Sequence, residues 1–274
     1  MRRTYGTGGG ETRTLSGIIL EAVGVLRQDL GEYGFIGLLG AVAAGVSAMV
    51  LRMLGGTIPL SLILPVVGVC ALTTYAASAC AVRRLEDSLQ PDAARAFLEV
   101  LIRAPFLLIP FAPAFVLSGL GTFLAVQFSD NVGRWGATGI LVALLVLAAM
   151  NAFQRSVFVP ALFSRGTSVR EAATFSRALQ RSASAAIAMC WVVALLPAGI
   201  FALGGLAAGF GSFSTAVTAF VFVASMPFAA GVMSLLYAEA ANSGSFMTAA
   251  QPSAPVRGGG RPSKAAERLG RHMP

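Results

Sequence analysis

The sequence is poor in charge. Of its 274 residues only 12% are Asp, Glu, Lys or Arg, about half of what soluble domains carry. Hydrophobic residues make up 56%, and the mean hydropathy is +0.76. A water-soluble core cannot absorb that much apolar surface. A bilayer can, in runs of about 20 apolar residues per crossing. Histidine is almost missing, His272 being the only one. This leaves no membrane-embedded His to activate a serine, and no HExxH for a metalloprotease. Cysteine is limited to Cys70, Cys80 and Cys190, all in apolar stretches. On one helix Cys70 and Cys80 would lie about 15 Å apart, too far to bridge. Without CxxC or a Cys/His cluster, neither a zinc site nor a disulfide scaffold is expected. There is no P-loop, and no GxGxxG followed by an acid. Gly8-Gly9-Gly10 reads as a flexible terminus, and Gly209-Phe210-Gly211-Ser212 has the look of a nucleophile loop without its base. No cofactor and no enzymatic activity are expected.

What the chain does have is six long apolar stretches, at about 34–54, 58–82, 104–128, 135–163, 185–210 and 214–240. Each is long enough to cross the hydrocarbon. Gly55-Gly56-Thr57, residues 129–134 and Gly211-Ser212-Phe213 read as tight turns. Residues 83–103 and 164–184 are longer, charged and helical in character. Short and long joins alternate, which predicts three helical hairpins. The first stretch follows a polar N-terminus with no signal-peptide pattern, so that helix is expected to direct insertion itself.

Basic residues set the orientation. All but one are arginine, Lys264 being the exception. Eighteen of the twenty fall in the N-terminal segment, the two long joins with the adjoining Arg155, and the tail, whereas Arg52 and Arg134 alone fall on the opposite side. Both termini and both long joins are therefore expected in the cytoplasm.

Amphipathic segments recur before each hairpin, near 14–32, 92–103 and 168–184. In the first, Leu15, Ile18, Ile19, Ala22, Val25 and Leu26 keep helical spacing, with Glu21, Arg27, Gln28 and Asp29 away from them. The predicted architecture is all-α: a six-helix transmembrane domain over 14–242, each hairpin led by an amphipathic helix on the cytoplasmic face. Residues 1–13 and the basic tail 243–274 are expected to be disordered, the tail solvated rather than a nucleic-acid-binding arm. Glycines such as Gly37, Gly40, Gly45, Gly119 and Gly121, and the Gly205–Gly209 GxxxG, supply small surfaces for helix packing. Pro65, Pro105, Pro110, Pro113, Pro160, Pro197 and Pro227 fall within or at the ends of spans, where they kink helices.

Two sets of residues are candidate sites. Arg170, Arg177 and Arg181, spaced by seven and four, put three guanidiniums on one helix face, with Glu171 the sole acid nearby. Such a face suits anionic headgroups, although the positive-inside rule alone would also place arginines there. Asn151, Gln154 and Arg155, late in the fourth span, and Glu239, at the end of the last, are the intramembrane polar candidates. Arg155 and Glu239 can pair near the inner interface.

Residues 155–189 carry a resemblance. Pro160-Ala161 at a helix end, followed by Ala178-Leu179-Gln180-Arg181-Ser182 in a short basic amphipathic helix, resembles a bacterial six-helix membrane family. That family includes the membrane module fused to some glycerophosphodiester phosphodiesterases, together with stand-alone relatives. The likeness is coarse over 14–242 and motif-like only over 155–189. Phe163-Ser164-Arg165 stands where the family usually has an acidic residue, and the soluble barrel with its catalytic acids and His is missing, so the resemblance implies architecture and no activity. The expected protein is a non-catalytic, multi-pass module of the bacterial cytoplasmic membrane. It would interact with membrane lipids, anionic ones included, or scaffold a protein partner at the cytoplasmic face. The alternative is a small permease with its site near Asn151, Gln154, Arg155 and Glu239.

Overall fold

In a medium without water every backbone polar group must be satisfied within the chain, and long apolar runs therefore close into helices. A computed structural model describes residues 15–86, 89–164, 168–208 and 211–242, and among these there are ten helices and no strand. They are α1 (Leu15–Gln28), α2 (Leu30–Leu54), α3 (Thr57–Glu86), α4 (Ala93–Ile102), α5 (Ala104–Gln127), α6 (Ser129–Arg155), α7 (Phe158–Phe163), α8 (Val169–Ala208), α9 (Gly211–Ala224) and α10 (Met226–Asn242). Five helical stretches are long and apolar enough to cross a membrane. There are six when the bent pair Val169–Val193 and Leu195–Phe201 is taken as one crossing. The terminal segments expected to be disordered, 1–13 and 243–274, lie outside the described residues.

The spans match the apolar stretches, but three of them are broken, each by a proline. A proline inside a helix has no N–H for the carbonyl four residues back, and its ring crowds that carbonyl. Pro227 stands four residues after Val223, and the chain breaks at Ser225 between α9 and α10. Pro197 stands four after Val193, where α8 bends by 41°. Pro160 stands four after Ser156, in the gap between α6 and α7. The carbonyl freed at Ser156 is taken up by the buried Tyr75 hydroxyl of α3, which donates to it at 3.0 Å. Pro160-Ala161 thus lies within the short buried helix α7 and not at a simple helix end. Pro65, Pro110 and Pro113 lie inside unbroken helices.

Other boundaries also differ from the sequence expectation. The amphipathic segment predicted over 14–32 stops at Gln28, and Leu30 already belongs to α2, with Asp29 between them in a non-helical conformation. The turn predicted at 129–134 is mostly helical, interrupted at Gly133 by a positive φ of 71°. Gly55 and Gly56 form a tight turn, both in left-handed conformations that favour glycine. Of the expected GxxxG pair, Gly209 lies outside the described residues.

Packing follows a small-inside, large-outside rule. On α2 the buried face is Tyr33, Ile36, Gly37, Gly40, Ala41, Ala44, Gly45 and Ala48. Leu38, Leu39, Val42, Val46, Met49, Val50 and Met53 are exposed. Lipid tails solvate large apolar side chains as well as a protein core would, so only close backbone approach rewards helix association. A Cβ on Gly45 would stand 3.3 Å from the Ala216 carbonyl of α9, and one on Gly119 would stand 3.1 Å from Pro65 of α3. Central α3 packs against α2, α5 and α10 as well as the short α4 and α7. Helix α2 also packs against α9, α5 against α6, and α8 against α9. Helix α1 buries Ile18, Ala22 and Val25 and lies along α10.

Candidate functional site: an arginine-lined cavity at the helix ends

One end of the bundle is tied together by polar contacts. Glu32, in the first turn of α2, accepts from the Ala93 amide at the start of α4 at 2.9 Å. Asp92 caps the same helix, accepting from the Arg95 amide at 3.1 Å. Ser164, just past α7, shares a hydrogen bond of 2.9 Å with Tyr237 of α10, whose ring also packs on Phe175 of α8. Helix α8 starts with a reciprocal cap: Glu171 accepts from the Ser168 amide and hydroxyl, both at 2.8 Å, and its own amide donates back to the Ser168 hydroxyl.

Within this end a cavity of about 420 Å³ is lined by Cys80, Arg83, Arg84, Leu89, Glu99, Ile102 and Arg103. Arg83 and Arg84 come from the last turn of α3, Glu99 from α4, and Arg103 from the joint between α4 and α5. The Cys80 thiol donates to Glu99 Oε2 at 3.0 Å, and Arg84 Nη1 stands 3.8 Å from Glu99 Oε1. Arg84 Nε makes a long bond, 3.4 Å, to the Gln90 carbonyl. Arg103 donates to the Leu162 carbonyl at the end of α7, and its guanidinium lies 5.2 Å from the centre of the Phe163 ring. Three guanidiniums and one carboxylate line the cavity. Guanidinium forks are suited to phosphate and carboxylate oxygens. Among the described residues no group of three or more His, Cys, Asp or Glu is placed to hold a metal, and the three cysteines are free thiols.

The residues singled out from sequence are distributed differently. Arg170, Arg177 and Arg181 all lie exposed on α8, opposite the buried Ala172, Ser176 and Leu179, so the spacing does produce one outward basic face. Arg177 Nε donates to the Ala173 carbonyl at 3.1 Å, within its own helix. Asn151, Gln154 and Arg155 stand at the end of α6, and Glu239 stands near the end of α10. Helix α6 leans on α5 while α10 leans on α3. Asn151 Oδ1 is buried without a hydrogen-bond partner, and Gln154 is exposed. The cavity arginines do carry a sequence signal, an Arg-Arg pair closing a span and a Glu-x-x-x-Arg opening the next, but positive-inside topology alone accounts for it equally well.

Fold and site together define an all-helical, multi-pass membrane protein with a basic cavity at one end of its helix bundle. No protein-family model, curated protein or solved structure matches the chain.

Proposed function

We propose that the protein is a non-catalytic module of the bacterial cytoplasmic membrane that binds anionic lipid headgroups at its cytoplasmic face and offers that face to a protein partner. The observation that carries this reading is the cavity, which Arg83, Arg84 and Arg103 line beside Glu99 at the end of the candidate span of α3 and the start of that of α5. Headgroup phosphates occupy that same depth. In this reading the spans form three hairpins, each led by an amphipathic helix (α1, α4 and the first half of α8), with both termini in the cytoplasm. Support comes from the distribution of arginine along the chain and from the outward basic face of α8. Kinship with the six-helix module of glycerophosphodiester phosphodiesterases is part of the proposal and rests on Pro160-Ala161 and Ala178–Ser182.

The test is native mass spectrometry of protein released from gentle detergent. The wild type is compared with Arg83→Gln/Arg84→Gln and with Arg170→Gln/Arg177→Gln/Arg181→Gln. Anionic phospholipid should stay with the wild type, leave the cavity variant, and be thinned in the α8 variant. A wild type that carries no anionic lipid and takes up none when it is added refutes the reading.

A further inference from the structure

We infer that the first half of α8 is the docking surface for the protein partner, and that the partner presents an acidic helix whose carboxylates answer Arg170, Arg177 and Arg181. This rests on the reading above, in which the same end of the bundle is offered to a partner, and gives that partner a place and a chemistry. At 3.6 residues per turn the three arginines fall within about 40° of one another, at axial intervals of about 10 Å and 6 Å. All three are exposed. The positive-inside rule asks for a number of basic residues on one side and is indifferent to where around a helix they point. Elsewhere at this end arginines are engaged by the fold: Arg84 reaches Glu99 and Gln90, Arg95 its capping Asp92, and Arg103 the Leu162 carbonyl. Among the described residues none of the three on α8 is bonded to a carboxylate. Glu171 stands about 100° round the helix and is held in its cap with Ser168.

What this face lacks separates a protein partner from the lipid surface. A helix lying in the headgroup plane sinks apolar side chains into the acyl boundary. Helix α4 turns such side chains outward, Leu98, Leu101 and Ile102 being 57%, 70% and 69% exposed, and α1 does the same with Leu20 at 72%. On α8, ahead of its non-helical residue Ala183, Val169 is the one exposed large apolar side chain among the described residues, and it lies off the arginine stripe. Leu179 is buried, and Phe175 packs on Tyr237. Anionic lipid can gather loosely at such a face, but nothing there seats it in the bilayer.

Between the arginines the surface is low. Thr174 turns its hydroxyl back to the Arg170 carbonyl at 2.9 Å, with the half-buried Ala173 and Ala178 on either side. Arg177 is steadied by the bond from its Nε to the Ala173 carbonyl, which leaves its terminal nitrogens for a partner. A second helix can therefore lie alongside with Asp or Glu at spacings of seven and four, and guanidinium forks pair bidentately with such carboxylates. Exposed pairs of this kind are individually weak. The contact depends on both partners being held to one membrane, where their effective concentration is high.

The experiment reconstitutes the full-length protein in vesicles of neutral phosphatidylcholine together with an acyl-anchored helical peptide of about 18 residues, and reads energy transfer between dyes on the two. One peptide carries three Glu spaced by seven and four; the other has the same composition with its Glu spread around the helix. The matched peptide should bind about tenfold more tightly than the scrambled one, the size expected of three exposed pairs acting together. Arg170→Gln/Arg177→Gln/Arg181→Gln should abolish that preference without changing the unfolding transition, since the three side chains are exposed. Arg27→Gln, at an exposed position on α1, should leave it intact. Equal binding of both peptides by wild type, or a preference that survives loss of the three arginines, overturns the inference. A preference that vanishes when phosphatidylglycerol is added to the vesicles assigns the face to lipid and overturns it as well. None of these outcomes moves the reading of the cavity, which is judged by lipid retention in Arg83→Gln/Arg84→Gln.

Discussion

Replacing Gly40 with alanine adds one methyl group where helices α2 and α3 come closest. A Cβ at this position would fall inside the contact distance of Thr74 Oγ1, and it would stand 3.1 Å from Thr74 Cβ and 3.2 Å from Val223 Cγ1. Thr74 cannot simply swing away. It is fully buried, its hydroxyl donates to the Cys70 carbonyl at 2.8 Å, and rotation would bring its own methyl into the gap. The helices must part or the side chain must strain, and overpacking of this kind costs about 1–3 kcal/mol. Against it stands the gain of roughly 0.5–1 kcal/mol from removing glycine's backbone freedom in a helix. Gly40→Ala should therefore lose stability, by about 1–2 kcal/mol net. Gly139→Ala is the control: nothing lies within 4 Å of its Cβ position, so only the gain remains. Thr74→Ala removes the obstructing atom, and in that background Gly40→Ala should turn neutral or stabilising. Thermal or dodecyl-sulfate unfolding in mixed micelles, followed by tryptophan fluorescence, reads all four combinations. Gly40→Ala as stable as Gly139→Ala, with no coupling to Thr74, would refute the close approach of α2 and α3.

Further expectations follow from single contacts. Tyr75→Phe leaves the Ser156 carbonyl buried without its donor and should cost about 1–3 kcal/mol; adding Pro160→Ala, which restores an amide for that carbonyl, should recover part of it in the same unfolding assay. Glu32→Ala unhooks the Ala93 amide, and hydrogen exchange of the α4 amides should speed up by roughly tenfold, the equivalent of one charge-assisted bond. Asn151→Leu removes a buried carbonyl oxygen that has no partner and should be neutral or stabilising, with lipid retention unchanged. Loss of an activity measured as solute uptake, with folding intact, would favour the permease reading instead.

The spans were legible because a bilayer imposes one crude requirement, length of apolar run, that hydropathy measures directly. Their breaks were less so. Pro160, Pro197 and Pro227 were visible as helix disturbers, but Pro65, Pro110 and Pro113 look the same in sequence and leave their helices unbroken. What differs is tertiary, as with the Tyr75 hydroxyl that receives the freed carbonyl at Ser156. The basic face of α8 followed from helical spacing alone. Arg155 and Glu239 could not be placed that way, because their distance depends on which helix α6 and α10 each pack against. The same reason hid the cavity. Arg84 and Arg103 are neighbours only because α4 folds back along α3, held in part by Glu32 far earlier in the chain.

The seam of small residues on α2 also has a consequence for biosynthesis. Gly37 and Gly45 face Pro227, Ala216 and Phe220, so a span made early is completed by one made much later. Gly45 and Ala216 are about 170 residues apart, and at roughly 5–20 residues per second the seam waits about 10–30 s for its partner. During that time lipid or an insertion factor must occupy it. A truncation before α9 would leave that groove of small residues without the helices that fill it.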